Sequence, residues 1–163
     1  MESVSSTWDR DSCRACSKEV RTRSSSRSQR TASACASPTR TRAQATVLNI
    51  ATGGVIKSIA VGGEPEGIDL SPDGKFVYVT AEADNRVYVI DADRLEVVSV
   101  TDVGARPRST AFTGSAARAY VSAENDASVS VIDSSTHAMV ARIGFDDPPM
   151  RPMGVVAAPD GAH

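Results

Sequence analysis

The stretch "VYVTAEADNRVYVID", Val77 to Asp91, is answered 42 residues later by "AYVSAENDASVSVID", Ala119 to Asp133. Tyr78 matches Tyr120 and Asp91 matches Asp133, and apolar and polar classes alternate in step. The prolines carry the same ruler. Pro65 and Pro107 are 42 apart, and Pro107 and Pro152 are 45 apart, the extra residues falling in the Pro/Asp loop "FDDPPMRP" where insertions cost little. Upstream, "VLN" at Val47 stands where "VID" stands at Val89 and Val131. The chain therefore reads as the end of one repeat, two full repeats and the start of another.

Each repeat predicts four short strands. "GIDLS" is followed by the turn "PDGK", in which Asp73-Gly74 supplies the left-handed backbone of a tight turn. "FVYVTA" is a β-branched and aromatic run, "VYVID" alternates, and "LEVVSVTDV" closes the unit after the turn "ADR". Helices are excluded, since no window sustains apolar spacing of three and four. A β-sandwich is the alternative, but it would not repeat its turn chemistry so faithfully. One four-stranded sheet leaves two apolar faces wet, and stacking on neighbours covers them. The expected class is all-β: four-stranded antiparallel β-propeller blades in an incomplete ring.

Residues 46–163 carry this pattern, and residues 1–45 do not. The head holds nine Lys/Arg against four Asp/Glu, whereas the remainder holds nine against sixteen. An acidic body with 4% aromatic residues and no basic cluster argues against nucleic acid. No apolar run is long enough for a membrane span. The N-terminus has no apolar core of a leader, so the chain as written is expected to stay in the cytoplasm.

The head, "RSSSRSQRTASACASPTRTRAQ" included, supports two readings. One is a disordered polar tail. The other follows from back-translation with G- or C-ending codons: one base early, Ser28 to Arg42 becomes "VATDGERLRVANEDA". Its Asp-Gly falls 42 residues before Asp73-Gly74, and its "VANE" falls 42 before "VTAE" at Val79 to Glu82. On that reading residues 1 to about 43 are a frameshifted blade, with the frame restored near Ala43.

The residues carrying the repeat resemble the YVTN family of β-propeller repeats: "YVTAEADNRVYVID", with "VGGEP" before it and "SPDGK" between. The series "EPEGIDLSPDGKFVYVT", "ARPRSTAFTG", "AYVSAENDASVSVID" and "RPMGVVAAPDG" resembles, more narrowly, the propellers associated with PQQ-dependent alcohol catabolism. The resemblance spans Thr46 to His163, and Gly114-Ser115-Ala116 departs from its Pro-Asp-Gly turn. It implies a non-enzymatic scaffold, accessory to a PQQ-linked periplasmic oxidation system, with intact relatives exported to the periplasm or cell exterior. Two alternatives stay open. One is a fragment of a lactonase-like or haem reductase-like propeller enzyme whose catalytic residues lie in other blades. The other is a cell-surface repeat protein.

No catalytic constellation, cofactor motif or metal-ligand set is legible. Cys13 and Cys16 form a CxxC without a second ligand pair, and Cys35 stands apart. His137, in "DSSTHAMV", reads as an exposed turn residue. Asp84, Asp91, Asp93, Asp126 and Asp133 match no calcium-loop spacing and read as turn formers. The candidate binding residues are Arg106, Arg108 and Arg151, which flank Pro107 and Pro152 where the chain approaches the innermost strand. Glu64 and Glu66 hold the same place one blade earlier. Such arginines at the channel mouth suit a protein partner's carboxylates or a small anionic ligand. As surface residues, Arg106 and Arg108 should be replaceable by Ala within about 0.5 kcal/mol of stability. With blade faces and an edge strand open, the polypeptide is expected to be oligomeric or protease-sensitive, residues 1 to 43 being cut first.

Overall fold

The computed structural model describes residues 43–49, 52–114, 117–145 and 150–158, together with the backbone of two short strands, 20–21 and 31–35. Among these residues the structure is entirely strand and turn. Three four-stranded antiparallel sheets follow one another, each a meander of consecutive strands. The first comprises β1 (Val20–Arg21), β2 (Thr31–Cys35), β3 (Gln44–Asn49) and β4 (Val55–Ala60). The second comprises β5 (Pro65–Leu70), β6 (Phe76–Ala81), β7 (Arg86–Asp91) and β8 (Glu96–Asp102). The third comprises β9 (Pro107–Phe112), β10 (Arg118–Ala123), β11 (Ser128–Asp133) and β12 (Met139–Gly144).

The 42-residue ruler holds at the level of hydrogen-bond register. Tyr78 pairs with Val89 across β6 and β7, as Tyr120 pairs with Val131 across β10 and β11. It also holds for backbone angles. Left-handed non-glycine residues come in pairs 42 apart: Glu64 and Arg106, Asn85 and Ala127, Leu95 and His137. At the turn "SPDGK", Ser71 Oγ donates to Asp73 Oδ1 (2.6 Å) and accepts from the Phe76 amide (2.9 Å). Gly74 supplies the positive φ there, at 75°. Asp91 and Asp133 cap the next turn, each accepting two backbone amides on Oδ1. Asn49 does so in the first sheet, accepting from the Thr52 amide. Leu95, expected to open a strand, instead occupies this turn, and β8 begins at Glu96.

Alternation along the middle sheet sends side chains to both neighbours. Val77, Val79 and Ile90 pack with Ala45, Val47, Ile59 and Val61 of the first sheet's side. Tyr78, Val87 and Val89 pack with Ala119, Val121 and Ile132 of the third. A sheet buried on both faces is what "FVYVTA" encodes. Among the described residues the two cores are thus interfaces between sheets.

The first sheet departs from expectation. The Ser/Arg-rich head carries no strand pattern, yet its backbone supplies β1 and β2, which pair antiparallel with each other, β2 pairing in turn with β3. The register is slipped. Ala32 lies opposite Asn49, whereas the repeat, which sets Phe76 opposite Asp91, would put residue 34 there. An even slip preserves facing while misaligning every pair. The boundary expected after Ala45 falls inside β3.

After β12 the chain returns at residues 150–158, which form no strand. Val155, Val156 and Ala157 nevertheless lie beside the first strands of the second and third sheets. Together with Ile68, Asp69 and Thr110 they line a cavity of about 470 Å³.

Candidate functional site

Each inner strand begins at a buried proline, Pro65 in β5 and Pro107 in β9. The residue before it is left-handed, with φ of 50° at Glu64 and 59° at Arg106. Short backbone bonds hold this bend. The Glu82 amide donates to Glu64 O (3.1 Å), and the Glu124 amide to Arg106 O (3.0 Å). The third sheet is then tied back to the second, because the Arg106 amide donates to Asn85 Oδ1 at 2.9 Å.

The guanidiniums follow the same direction. Arg106 Nε donates to Glu82 Oε2 at 2.9 Å and stands 3.4 Å from Glu124 Oε2. Arg108 Nη1 bonds Glu82 Oε1 and lies 3.6 Å from Glu66, while its Nε is 3.5 Å from Glu124 Oε2. Arg151 Nη1 reaches Glu124 Oε1 at 3.6 Å. Hydrogen bonding to Glu82, with the charges of Glu82, Glu124 and Glu64, raises the Arg106 pKa above its ordinary value. The structure therefore gathers all five expected residues, Arg106, Arg108, Arg151, Glu64 and Glu66, at one mouth.

Two members of the cluster were not foreseen. Glu82 and Glu124 end β6 and β10, are 42 residues apart, and are buried (8% and 7% exposed). The signal was present in "VTAE" and "VSAE": an acid recurring in register at the end of a buried run. These carboxylates change the energetics expected of the arginines. The Arg108 side chain is only 16% exposed and neutralises a buried acid, so its removal cannot behave as a surface change. Arg106 and Arg151, at 43% and 73%, keep solvent-facing donors.

Deeper at this seam, Gly67 lies so close to the Arg108 carbonyl that a Cβ there would collide with it. Thr80 Oγ1 accepts from the Gly67 amide at 2.7 Å. Ser122 repeats the arrangement, accepting from the Ser109 amide at 3.2 Å.

The opposite end of the same seam holds His137, which is not the partnerless turn residue expected. Its Nδ1 is 2.8 Å from Tyr78 Oη, and its ring meets Phe76 edge-on at 4.6 Å. Burial pushes the Tyr78 hydroxyl up to about 12 and lowers the His137 pKa. The hydrogen bond between the Tyr78 hydroxyl and the His137 ring joins the second and third sheets. A cavity of about 430 Å³ beside it is lined by Asp73, Phe76, Asp133 and Ser134.

Four of the aspartates considered as calcium ligands have other partners. Asp91 and Asp133 cap turns. Asp84 accepts from Tyr88 Oη at 3.1 Å, and Asp126 pairs with Arg142 at 2.9 Å. Cys13 and Cys16 lie outside the described residues.

No family model and no curated protein matches the chain. Solved structures do. Hydrazine synthase from Kuenenia stuttgartiensis is similar at a TM-score of 0.68, with 28% identity over 73% of this chain and 34% of that one. The dihydro-haem d1 dehydrogenase NirN in complex with DHE matches at 0.65, with 22% identity over 74% and 26%. Apo AztD from Citrobacter koseri matches at 0.56, with 18% identity over 68% and 31%. The chain spans about a third or less of each. Read with the three stacked antiparallel sheets, these likenesses settle the architecture: the described residues are successive blades of a β-propeller, arranged as an open arc.

Proposed function

We propose that the chain is a non-enzymatic propeller scaffold that binds a protein partner at the mouth formed by Glu64, Glu66, Arg106, Arg108 and Arg151. The observation that carries this reading is the convergence of charged residues from the starts of β5 and β9 and from the returning segment at Pro152, with Arg106, Arg151 and Glu66 still solvent-facing. Charged side chains held by buried counter-charges keep their orientation, which favours specificity in a partner over affinity alone. A small anionic ligand is less well served, because the guanidiniums already face carboxylates of their own chain. The YVTN-like text points to an accessory of a PQQ-linked periplasmic oxidation system, working in the periplasm when intact. For the head, we propose the frameshifted blade, supported by the slipped register of β2.

The reading is tested with the immobilised full chain and an extract of the cells that make it. A quinoprotein dehydrogenase should be retained, released by salt, and retained less by Glu66→Ala and Arg151→Ala. Equal retention by these exposed variants would remove the mouth from the function.

A second reading is favoured by the names of two neighbours, a synthase and a dehydrogenase, and by the small share of each that this chain spans. On that reading the arc belongs to a propeller enzyme whose reacting groups lie in other blades. Turnover by a longer form of the protein, absent from this chain, distinguishes it.

A further inference from the structure

The two clasps at the mouth are repeats of one another, and one of them is unfinished. Glu82 receives a hydrogen bond on each oxygen, Arg106 on Oε2 and Arg108 on Oε1. Glu124, its counterpart 42 residues on, is buried to the same degree but is less well served. Its Oε2 has no hydrogen-bond partner among the described residues. The guanidiniums 3.4 and 3.5 Å from that oxygen make their hydrogen bonds to Glu82. Its Oε1 has only Arg151, at 3.6 Å, on a side chain 73% exposed.

Aligning the prolines names the missing group. Arg106 and Arg108 flank Pro107; Arg151 and Met153 flank Pro152. The guanidinium that completes the first clasp is replaced by methionine in the second, and Met153 is 56% exposed. Charge agrees. Among the described residues the mouth sets four carboxylates (Glu64, Glu66, Glu82, Glu124) against three guanidiniums (Arg106, Arg108, Arg151). A buried carboxylate lacking a donor is costly, and the cheapest completion is one charge-assisted bond.

We propose that Glu124 is the receptor for an arginine side chain of the protein partner, which enters over Met153 and, beside Arg151, takes the place that Arg108 holds in the preceding clasp. This rests on the mouth being the partner surface, and it supplies the chemistry recognised there. Guanidinium fits better than ammonium, because the first clasp uses the planar fork.

The test uses the full chain and a short peptide bearing one arginine, titrated calorimetrically beside its neutral citrulline counterpart. The arginine peptide should bind at least about tenfold more tightly. Glu124→Gln should abolish that preference. Met153→Arg, in which the chain finishes its own clasp, should also abolish binding while raising the thermal midpoint, so loss by misfolding is separated from loss by occupancy. Equal binding of the two peptides, or Met153→Arg with unchanged midpoint and unchanged binding, overturns the proposal. Partner retention that depends on Glu66 and Arg151 yet survives Met153→Arg refutes this inference alone. Selective peptide binding without any partner retained refutes the wider reading alone.

Discussion

The first and second blades share a backbone plan but not a language. In the second, each strand is written for its place: Val77, Val79 and Ile90 face one neighbour, Tyr78, Val87 and Val89 the other. In the first, β3 and β4 are so written, with Ala45, Val47 and Ile59 in the core, while β1 and β2 come from Ser/Arg text and pair in a slipped register. Backbone groups pair with whatever strand is offered, since every residue carries the same donor and acceptor. Alternating apolar side chains decide which register is kept and what the sheet stacks on.

The largest effect expected from this contrast concerns Tyr78, which is fully buried between the second and third blades. Tyr78→Ala should lower unfolding free energy by about 4 kcal/mol, read from denaturant melts. Removing residues 1–35 should cost well under half of that. A truncation as costly as Tyr78→Ala would mean that β1 and β2 are a full part of a working blade, and the contrast would collapse.

Next in size is the clasp. Arg108→Ala leaves the buried Glu82 with Arg106 alone and should cost about 3 kcal/mol, whereas Arg151→Ala should stay within about 0.5 kcal/mol. Similar losses for both would show that burial does not separate the two arginines. Smaller again is the turn at Ala127, left-handed at φ 45° where the preceding blade has Asn85. Ala127→Gly should stabilise the chain by about 0.5–1 kcal/mol, because alanine there carries strain that glycine lacks. A loss would indicate that the third blade has its own turn geometry.

His137 gives a directional prediction. Its folded pKa is lowered by burial, so the folded state holds fewer protons than the unfolded chain in the window just below pH 6.5. The contribution of the Tyr78–His137 contact should be complete above that pH and fade as pH falls through the folded pKa. His137→Phe should flatten this part of the pH profile, and an unchanged profile would count against the contact.

The strands of the second and third blades were legible to within two residues because a period of 42 fixes them jointly. What escaped was local geometry that no alternation encodes. Leu95 and His137 occupy the same left-handed turn, but apolar Leu95 looks like the opening of a strand, and nothing local shows that His137 meets Tyr78. Glu82 and Glu124 look like solvated strand ends, and only folding two blades together reveals that they are covered. The five proposed mouth residues could be named from the sequence because Pro65, Pro107 and Pro152 recur in step. Glu82 was not legible as a partner, because it meets Arg106 and Arg108 only across the junction of two blades.

That offset has a consequence for how the molecule is made. Glu82 leaves the ribosome 24 residues before Arg106 and 26 before Arg108. Asn85 and Thr80 likewise precede the strand that they tie down. Glu82 and Asn85 are thus synthesised before the groups that bond to them, so the third blade can dock onto a predecessor whose acceptors are already displayed. The arc grows in one direction, and an error in an early blade is inherited by those that lean on it.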